Sequence, residues 1–440
     1  MTNPKVAFYT LGCKVNQNET EALGALFKEH TYDVVDFVDK ADIYIINTCT
    51  VTHLGDRKSR QVIRRAINTN PDAIIVVTGC YAQTSPGEVQ KIPGVDLIIG
   101  TSDRAKIVEL IEEYKRGKEP VTYVNDILKV KDFEELPVDR LINRTRAYLK
   151  VQEGCEQFCT YCIIPYARGP SRSRSIESTL KEAGKLIAAG FKELILTGIH
   201  LGAYGKDLAE NIDLAYLCKT LLEKTSIQRL RLSSIEPTEI TDELIELMKG
   251  NPRFCRHLHI PLQNGNDEIL KYMHRPYTTR DYRFIIEKVR KKIPDIGITS
   301  DIMVGFPGET QEHFSDSLDF VKEMEFSGLH VFKYSPRKGT PASKFSNQVS
   351  SPEKEKRSKA MLELGKQGFT NFAQRYLDKI VDVLVETSWP QGGWEGHTDN
   401  YLKVVFKGET EKGEIVPVRL QSLEENYVIG ELIKRRNYNY

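Results

Sequence analysis

The chain has 440 residues, 40% hydrophobic and 28% charged, with a formal net charge of +1, which excludes a disordered or fibrous chain and leaves room for about two to four globular domains. So small a net charge also excludes a protein that coats nucleic acid by bulk attraction, so any RNA contact has to come from a local patch. Residues 1–12 hold no long apolar stretch and runs such as 73–77 are too short to cross a bilayer, so no membrane and a cytoplasmic location are expected.

In chain order, short apolar runs at 6–11, 43–47, 74–78 and 96–99 read as strands, and the amphipathic stretches 16–30 and 56–68 as helices. Continuous apolar strands separated by helices predict a parallel sheet covered on both faces, so residues 1–120 read as one α/β domain. Residues 121–143 are polar, are interrupted by Pro137, and read as a linker. Within 144–350, strand-like segments at 147–152, 193–197, 229–233, 257–262, 297–304 and 328–334 alternate with helical stretches and predict a whole or partial barrel. A charged helical linker at 351–375 leads into 376–440, where short β-branched and aromatic segments at 380–387, 401–406, 415–420 and 426–432 predict a small OB-like β-barrel.

Eight cysteines in a chain without an export signal point to metal ligands, reactive thiols or buried hydrophobes rather than a disulfide framework. Cys155, Cys159 and Cys162 have C-x3-C-x2-C spacing directly after the first barrel strand. Three thiolates on a four-iron cube leave one iron open to another ligand. Structural zinc wants four Cys or His ligands, and no fourth lies nearby in the sequence.

Cys13, Cys49 and Cys80 each follow a predicted strand, 36 and 31 residues apart. Neighbouring parallel strands lie about 4.8 Å apart and gather ligands at their carboxyl ends, so these three are expected to converge on a second cluster. Gly12, Thr48 and Gly79 beside them are small or polar and let backbone approach closely. Cys218 and Cys255, without cysteine neighbours, read as structural thiols, and His200, His257 and His259 as structural histidines.

The motif Gly154-Cys-Glu-Gln-Phe-Cys-Thr-Tyr-Cys-Ile-Ile-Pro-Tyr-Ala-Arg-Gly before a barrel resembles the radical S-adenosylmethionine superfamily. Together with the N-terminal triplet, the stretch Ile302-Met-Val-Gly-Phe-Pro-Gly-Glu-Thr and a TRAM-like tail, the whole chain resembles that superfamily's methylthiotransferases. The resemblance implies two 4Fe-4S clusters, S-adenosylmethionine chelated to the open iron, and an electron donor. It also implies that one S-adenosylmethionine methylates a sulfur at the N-terminal cluster, while a second is cleaved to a radical that activates the substrate carbon. Tyr161 would lie against the adenine of S-adenosylmethionine and Gly198 would meet its methionine amino group; Ser233, Glu236, Gln263, Gly305 and Glu309 would complete its site. Gly12-Cys-Lys-Val-Asn-Gln resembles the branch acting on N6-threonylcarbamoyladenosine at position 37 of transfer RNA. The isopentenyladenosine branch has Gln-Met after that cysteine and the ribosomal-protein branch Pro-Lys.

Between residues 142 and 174, Arg144, Arg146, Lys150, Arg168, Arg172 and Arg174 face only Glu153 and Glu156, a local excess of four positive charges beside the radical motif. They are expected to contact phosphates of the anticodon stem-loop, joined by Lys333, Arg337 and Lys338, and by Lys434, Arg435 and Arg436 among the terminal tyrosines. The enzyme is expected to be a monomer. The competing readings are a methylthiotransferase for isopentenyladenosine or a ribosomal-protein aspartate, and a non-catalytic zinc protein that binds RNA.

Overall fold

The computed structural model describes residues 3–117, 119–136, 145–209 and 212–433. Its first layer is a six-stranded sheet in the order Asp33–Val35, Lys5–Thr10, Ile43–Thr48, Ile74–Gly79, Leu97–Ile99, Val121–Tyr123. All of its pairings are parallel. The central strand Ile43–Thr48 is buried at every position, as expected for a sheet with helices on both faces. Val121–Tyr123 carries the sheet into the segment read from the sequence as linker. Three residues on a half-exposed edge make too short an apolar run to register as a strand.

The middle layer is a partial barrel of six parallel strands. Arg146–Lys150, Glu193–Thr197 and Arg229–Leu232 form one sheet, and His257–His259, Gly297–Val304 and Gly328–Lys333 the other. Isolated parallel bridges, Leu230 to Phe254 and Ser234 to His259, join the two. The helix Lys14–Glu29 of the first layer lies along the barrel's open edge, where Asn18 Nδ2 donates to the Tyr148 carbonyl at 2.9 Å. One apolar core therefore runs from Leu23 and Phe27 to Leu149 and Leu196.

The long helix Ser351–Gln374 packs on the edge strand Gly328–Lys333 and leads to the last layer. A Cβ at Gly368 would lie 2.3 Å from the Phe326 carbonyl oxygen, so only glycine permits that approach. The C-terminal strands close into a barrel in the order Ile380–Ser388, Trp394–Thr398, Lys403–Lys407, Val428–Leu432, Ile415–Leu423. Trp394–Thr398 escaped the sequence reading because its Trp-Glu-Gly-His-Thr composition has neither an apolar run nor clean alternation.

This small barrel docks on the N-terminal ends of the middle strands. Arg229 Nη1 donates to the His397 carbonyl at 3.1 Å and Arg231 Nη1 to that of Asp399 at 2.8 Å. Tyr401 stacks on His257 with ring centroids 4.5 Å apart and lies 5.0 Å beneath the Arg231 guanidinium. Among the described residues no helix is long and apolar enough to cross a membrane.

Candidate active site

Three adjacent strands of the first sheet end in the N-terminal cysteines. Cys13 caps the helix Lys14–Glu29, Cys49 follows Ile43–Thr48, and Cys80 opens the helix Cys80–Thr84. Gly12, at φ +104°, makes the crossing possible, since a Cβ there would come within 2.9 Å of Cys49 Cβ and 3.1 Å of its Sγ. Burial pushes the Cys80 thiol up to about 12 against the nearby charge of Arg168, and raises Cys49 as well. Buried thiols of this kind bind metal by giving up protons that burial otherwise holds.

Arg168 ties this triplet to the barrel. Its Nε lies 3.3 Å from Cys80 Sγ, Nη2 donates to Asn16 Oδ1 at 2.5 Å, and Nη1 pairs with Glu19 at 2.5 Å and Glu153 at 2.7 Å. Arg104 and Lys150 complete a buried network with the same two carboxylates and Glu134. Three cations thus meet three carboxylates. Burial alone would raise the acids, but Lys150 and Arg168 outweigh it at Glu153 and bring its carboxyl down to about 2. At Glu19, Arg104, Arg168 and Lys150 do the same and hold the carboxyl well below the usual range.

The second triplet lies on the loop after Arg146–Lys150. Cys162 N donates to the Cys159 carbonyl at 2.9 Å, folding the loop back on itself. Burial and then the neighbouring Cys159 push Cys162 up to about 12. Arg275 Nη1 lies 3.3 Å from Cys159 Sγ, its Nε donates to Tyr277 Oη at 3.0 Å, and its other nitrogen pairs with Glu236. His200 Nδ1 stands 3.7 Å from Cys155 Sγ, and its Nε2 is held by Glu239 at 2.8 Å. Desolvation would lower this imidazole, but the hydrogen bonds to Cys155 and Glu239 win and raise it to about 10.

A cavity of about 210 Å³ lies between the triplets, lined by Val51 and Thr52 beside Cys49, by Tyr161 to Ile164, and by Gln263, Asp301, Met303 and Phe332 to Ser335. Below it, His259 Nε2 and His330 Nδ1 meet one oxygen of Asp301 at 3.1 and 3.2 Å, and His259 Nδ1 is 2.9 Å from Thr299 Oγ1. Against burial, these two imidazoles hold the Asp301 carboxyl below its usual range.

A model of the radical SAM superfamily matches residues 149–321, one of the uncharacterized protein family UPF0004 residues 5–100, and one of the TRAM domain residues 374–433. Threonylcarbamoyladenosine tRNA methylthiotransferase MtaB of Bacillus subtilis is 46% identical over 434 residues, covering 98% of this chain and 96% of its own. The tRNA-2-methylthio-N(6)-dimethylallyladenosine synthase of Clostridium tetani is 36% identical over 435 residues, covering 95% and 94%. The chain belongs to the radical S-adenosylmethionine methylthiotransferase family. A solved radical S-adenosylmethionine methyltransferase, TsrM from Kitasatospora setae, shares the fold at a TM-score of 0.60, with 15% identity over 78% of this chain and 77% of that one.

Membership makes the chain a methylthiotransferase and implies S-adenosylmethionine and a 4Fe-4S cluster. The donors fit such a cluster: three thiols lie on one loop, and Ser233 Oγ, buried without a partner among the described residues, offers a hydrogen bond to a ligand. Tyr161 and Gln263 line the cavity, Tyr161 packing edge-on to Phe306 at 6.4 Å. Gly198 lies against Gln152, whose Cβ would be 2.9 Å from any Cβ added there. Glu236 faces Arg275, and burial raises its carboxyl despite that partner.

Glu309 and Gly305 are corrected. Glu309 accepts from Asn264 at 2.9 Å, Arg357 at 2.7 Å and the Gly305 amide at 2.6 Å, which engages both of its oxygens within the protein. Gly305 packs on Lys354, so both residues build the turn.

The arginines beside the radical motif are corrected too. Arg168 is buried as described, Arg146 pairs with Glu386 at 2.8 Å, and Arg172 Nη2 donates to the Arg168 carbonyl at 2.8 Å. Arg174 pairs with Glu182 at 3.6 Å and Arg337 with Asp56 at 2.6 Å. A charged side chain enters the interior only when paired, and these are paired inside, away from any phosphate. Lys333 and Lys338 stay exposed; Arg144, Lys434, Arg435 and Arg436 lie outside the described residues.

Sequence reasoning missed Arg275, whose neighbours carry no signal, and read His200 as structural although it adjoins Cys155. It also missed the exposed basic face of the helix His53–Thr69, formed by Arg57, Lys58, Arg64 and Arg65. Counting charge along that helix would have found it.

Proposed function

We propose that this methylthiotransferase converts N6-threonylcarbamoyladenosine at position 37 of transfer RNA to its 2-methylthio derivative. One 4Fe-4S cluster would be held by Cys155, Cys159 and Cys162, and a second by Cys13, Cys49 and Cys80. The observation that carries this reading is the shared cavity, whose walls come from the loop after Cys49 on one side and the Cys162 loop on the other. Similarity to methylthiotransferases named for threonylcarbamoyladenosine in Bacillus subtilis, Aquifex aeolicus and Thermotoga maritima supports the substrate.

When bound, the clusters and S-adenosylmethionine supply the electron, the radical and the sulfur for substitution at an unactivated carbon. The chain's own residues align the partners. Ser233, Gln263 and Tyr161 face S-adenosylmethionine, and Arg275 holds Cys159 and Glu236 in register. Val51, Met303 and Phe332 give the cavity apolar wall that keeps water from the reacting carbon. Arg57, Lys58, Arg64 and Arg65, with Lys333 and Lys338, face the stem-loop phosphates at its mouth.

The test is an anaerobic assay on transfer RNA carrying threonylcarbamoyladenosine, read by nucleoside mass spectrometry. The 2-methylthio product and about eight irons with matching sulfide per chain are expected. Product only on isopentenyladenosine, or on a ribosomal-protein aspartate, would reassign the substrate. About one zinc, no brown colour and no product would make the chain a non-catalytic RNA-binding protein.

A further inference from the structure

Three neighbouring parallel strands place four polar residues on one face of the barrel. His259 pairs in register with Thr299, and Asp301 with His330. Residues two apart on a strand share a face, so Thr299, Asp301 and Met303 point the same way, as do His330 and Phe332. Asp301, Met303 and Phe332 all line the cavity. Two histidines and a carboxylate thus stand together at its floor, and none of them serves the reaction proposed above.

Both imidazoles converge on one oxygen. His259 Nε2 lies 3.1 Å and His330 Nδ1 3.2 Å from Oδ1 of Asp301, and all three ligand atoms lie within 4.8 Å of one another. A carboxylate has about four lone-pair sites, so two donors alone are free to spread over both oxygens. Yet among the described residues no hydrogen bond or ion pair reaches Oδ2. Around an ion about 2.1 Å from each ligand, neighbouring ligand atoms lie about 3.0 Å apart in octahedral geometry and about 3.4 Å apart in tetrahedral geometry. Both observed edges fall between these values.

The surroundings of the histidines suit the same role. Thr299 Oγ1 lies 2.9 Å from His259 Nδ1 and 3.0 Å from His257 Nε2. A hydroxyl that donates to His257 accepts the Nδ1 proton of His259 and leaves Nε2 bare toward Asp301. Metal-bound histidines are oriented in this way through their second nitrogen. Two lone pairs 3.1 Å apart repel unless a cation lies between them, either a proton or a metal ion. Two imidazoles with one carboxylate suit divalent ions such as those of iron, zinc or manganese, rather than magnesium and calcium, which take oxygen, or copper(I), which takes sulfur. The His330 side chain is 65% exposed, so water has access to complete the coordination.

We propose that His259, Asp301 and His330 bind one divalent first-row transition-metal ion at the floor of the cavity, apart from both cysteine triplets, with its remaining positions open to water and to a ligand in the cavity. This site goes beyond the function proposed above and does not depend on the substrate assigned there.

The test titrates anaerobic, chelator-treated holoenzyme, its clusters oxidised and EPR-silent, with manganese(II), an ion that carboxylates hold and that thiolates do not select. Binding is read from the loss of the free-ion EPR signal. Wild type is expected to take up about one equivalent per chain, which zinc(II) displaces. At unchanged iron content, His330→Ala is expected to weaken binding by at least about tenfold, and Thr299→Val, which keeps all three ligands, by about ten- to hundredfold. His313→Ala, which breaks a surface pair with Glu268, is expected to change nothing. No saturable equivalent in wild type, or one undiminished by His330→Ala, overturns the proposal and leaves a cluster held by protons alone. If His330→Ala loses iron, Thr299→Val decides by the same criterion. No transfer RNA enters the titration, so its failure leaves the proposed substrate standing, and failed turnover of transfer RNA leaves the metal site standing.

Discussion

Arg168 Nε lies 3.3 Å from the sulfur of Cys80, while the same guanidinium pairs with Glu153 at 2.7 Å, two residues before Cys155. One side chain thus touches both cysteine-bearing layers. Methionine in its place would leave only Arg104 and Lys150 to neutralise three carboxylates in the interior, and removing one partner from a buried network costs about 3–5 kcal/mol. Arg168→Met is expected to lose that much stability in denaturant titration and to hold less iron. Arg168→Lys, which keeps the charge without the fork, is expected to fall between. Wild-type stability and iron content in Arg168→Met would show that the network holds neither the layers nor the cluster.

Glu153 makes the same network sensitive to acid. Its carboxyl sits at about 2 in the fold against an ordinary 4.5, so it contributes stability above the ordinary value that is lost as pH falls toward 2. The stability gap between wild type and Glu153→Gln is therefore expected to narrow from about pH 5 to about pH 3. Denaturant midpoints of both proteins across that window check it; a gap that holds constant contradicts the assignment.

Arg275 places positive charge 3.3 Å from Cys159 Sγ. A nearby cation favours the more reduced, more negative state of a thiolate-bound cluster. Arg275→Gln is expected to move the midpoint of the corresponding cluster to lower potential, read by an EPR-monitored redox titration. An unchanged midpoint would confine Arg275 to holding Glu236.

The basic face of His53–Thr69 predicts a salt signature. Reversing Arg64 and Arg65 to glutamate is expected to weaken stem-loop binding at low salt and to flatten the log–log salt dependence by about 0.7 for each phosphate no longer neutralised. Arg146→Gln, whose guanidinium pairs with Glu386 inside, is expected to leave that slope unchanged. Affinities measured across a salt series separate the two; the opposite pattern would return the RNA surface to the barrel arginines.

Several features were legible in the residues because the physics behind them is local. Continuous apolar runs such as Ile43–Thr48 announce buried parallel strands, and both cysteine sets show in their spacing because each cysteine follows a strand or shares one short loop. Short or mixed edge strands, Val121–Tyr123 and Trp394–Thr398, were not legible, since their pairing comes from neighbours rather than from their own composition.

By itself, then, the sequence determined the α/β sheet, the partial barrel, the small β-barrel and the two triplets of thiols. Only the tertiary structure decided which charges face outward. An arginine in a string of letters carries the same charge whether it meets RNA or a buried carboxylate, and Arg168 found Glu19 across 149 residues of chain. The energy of a cation depends on the dielectric and the partners around it, and both are set by the packing of distant segments.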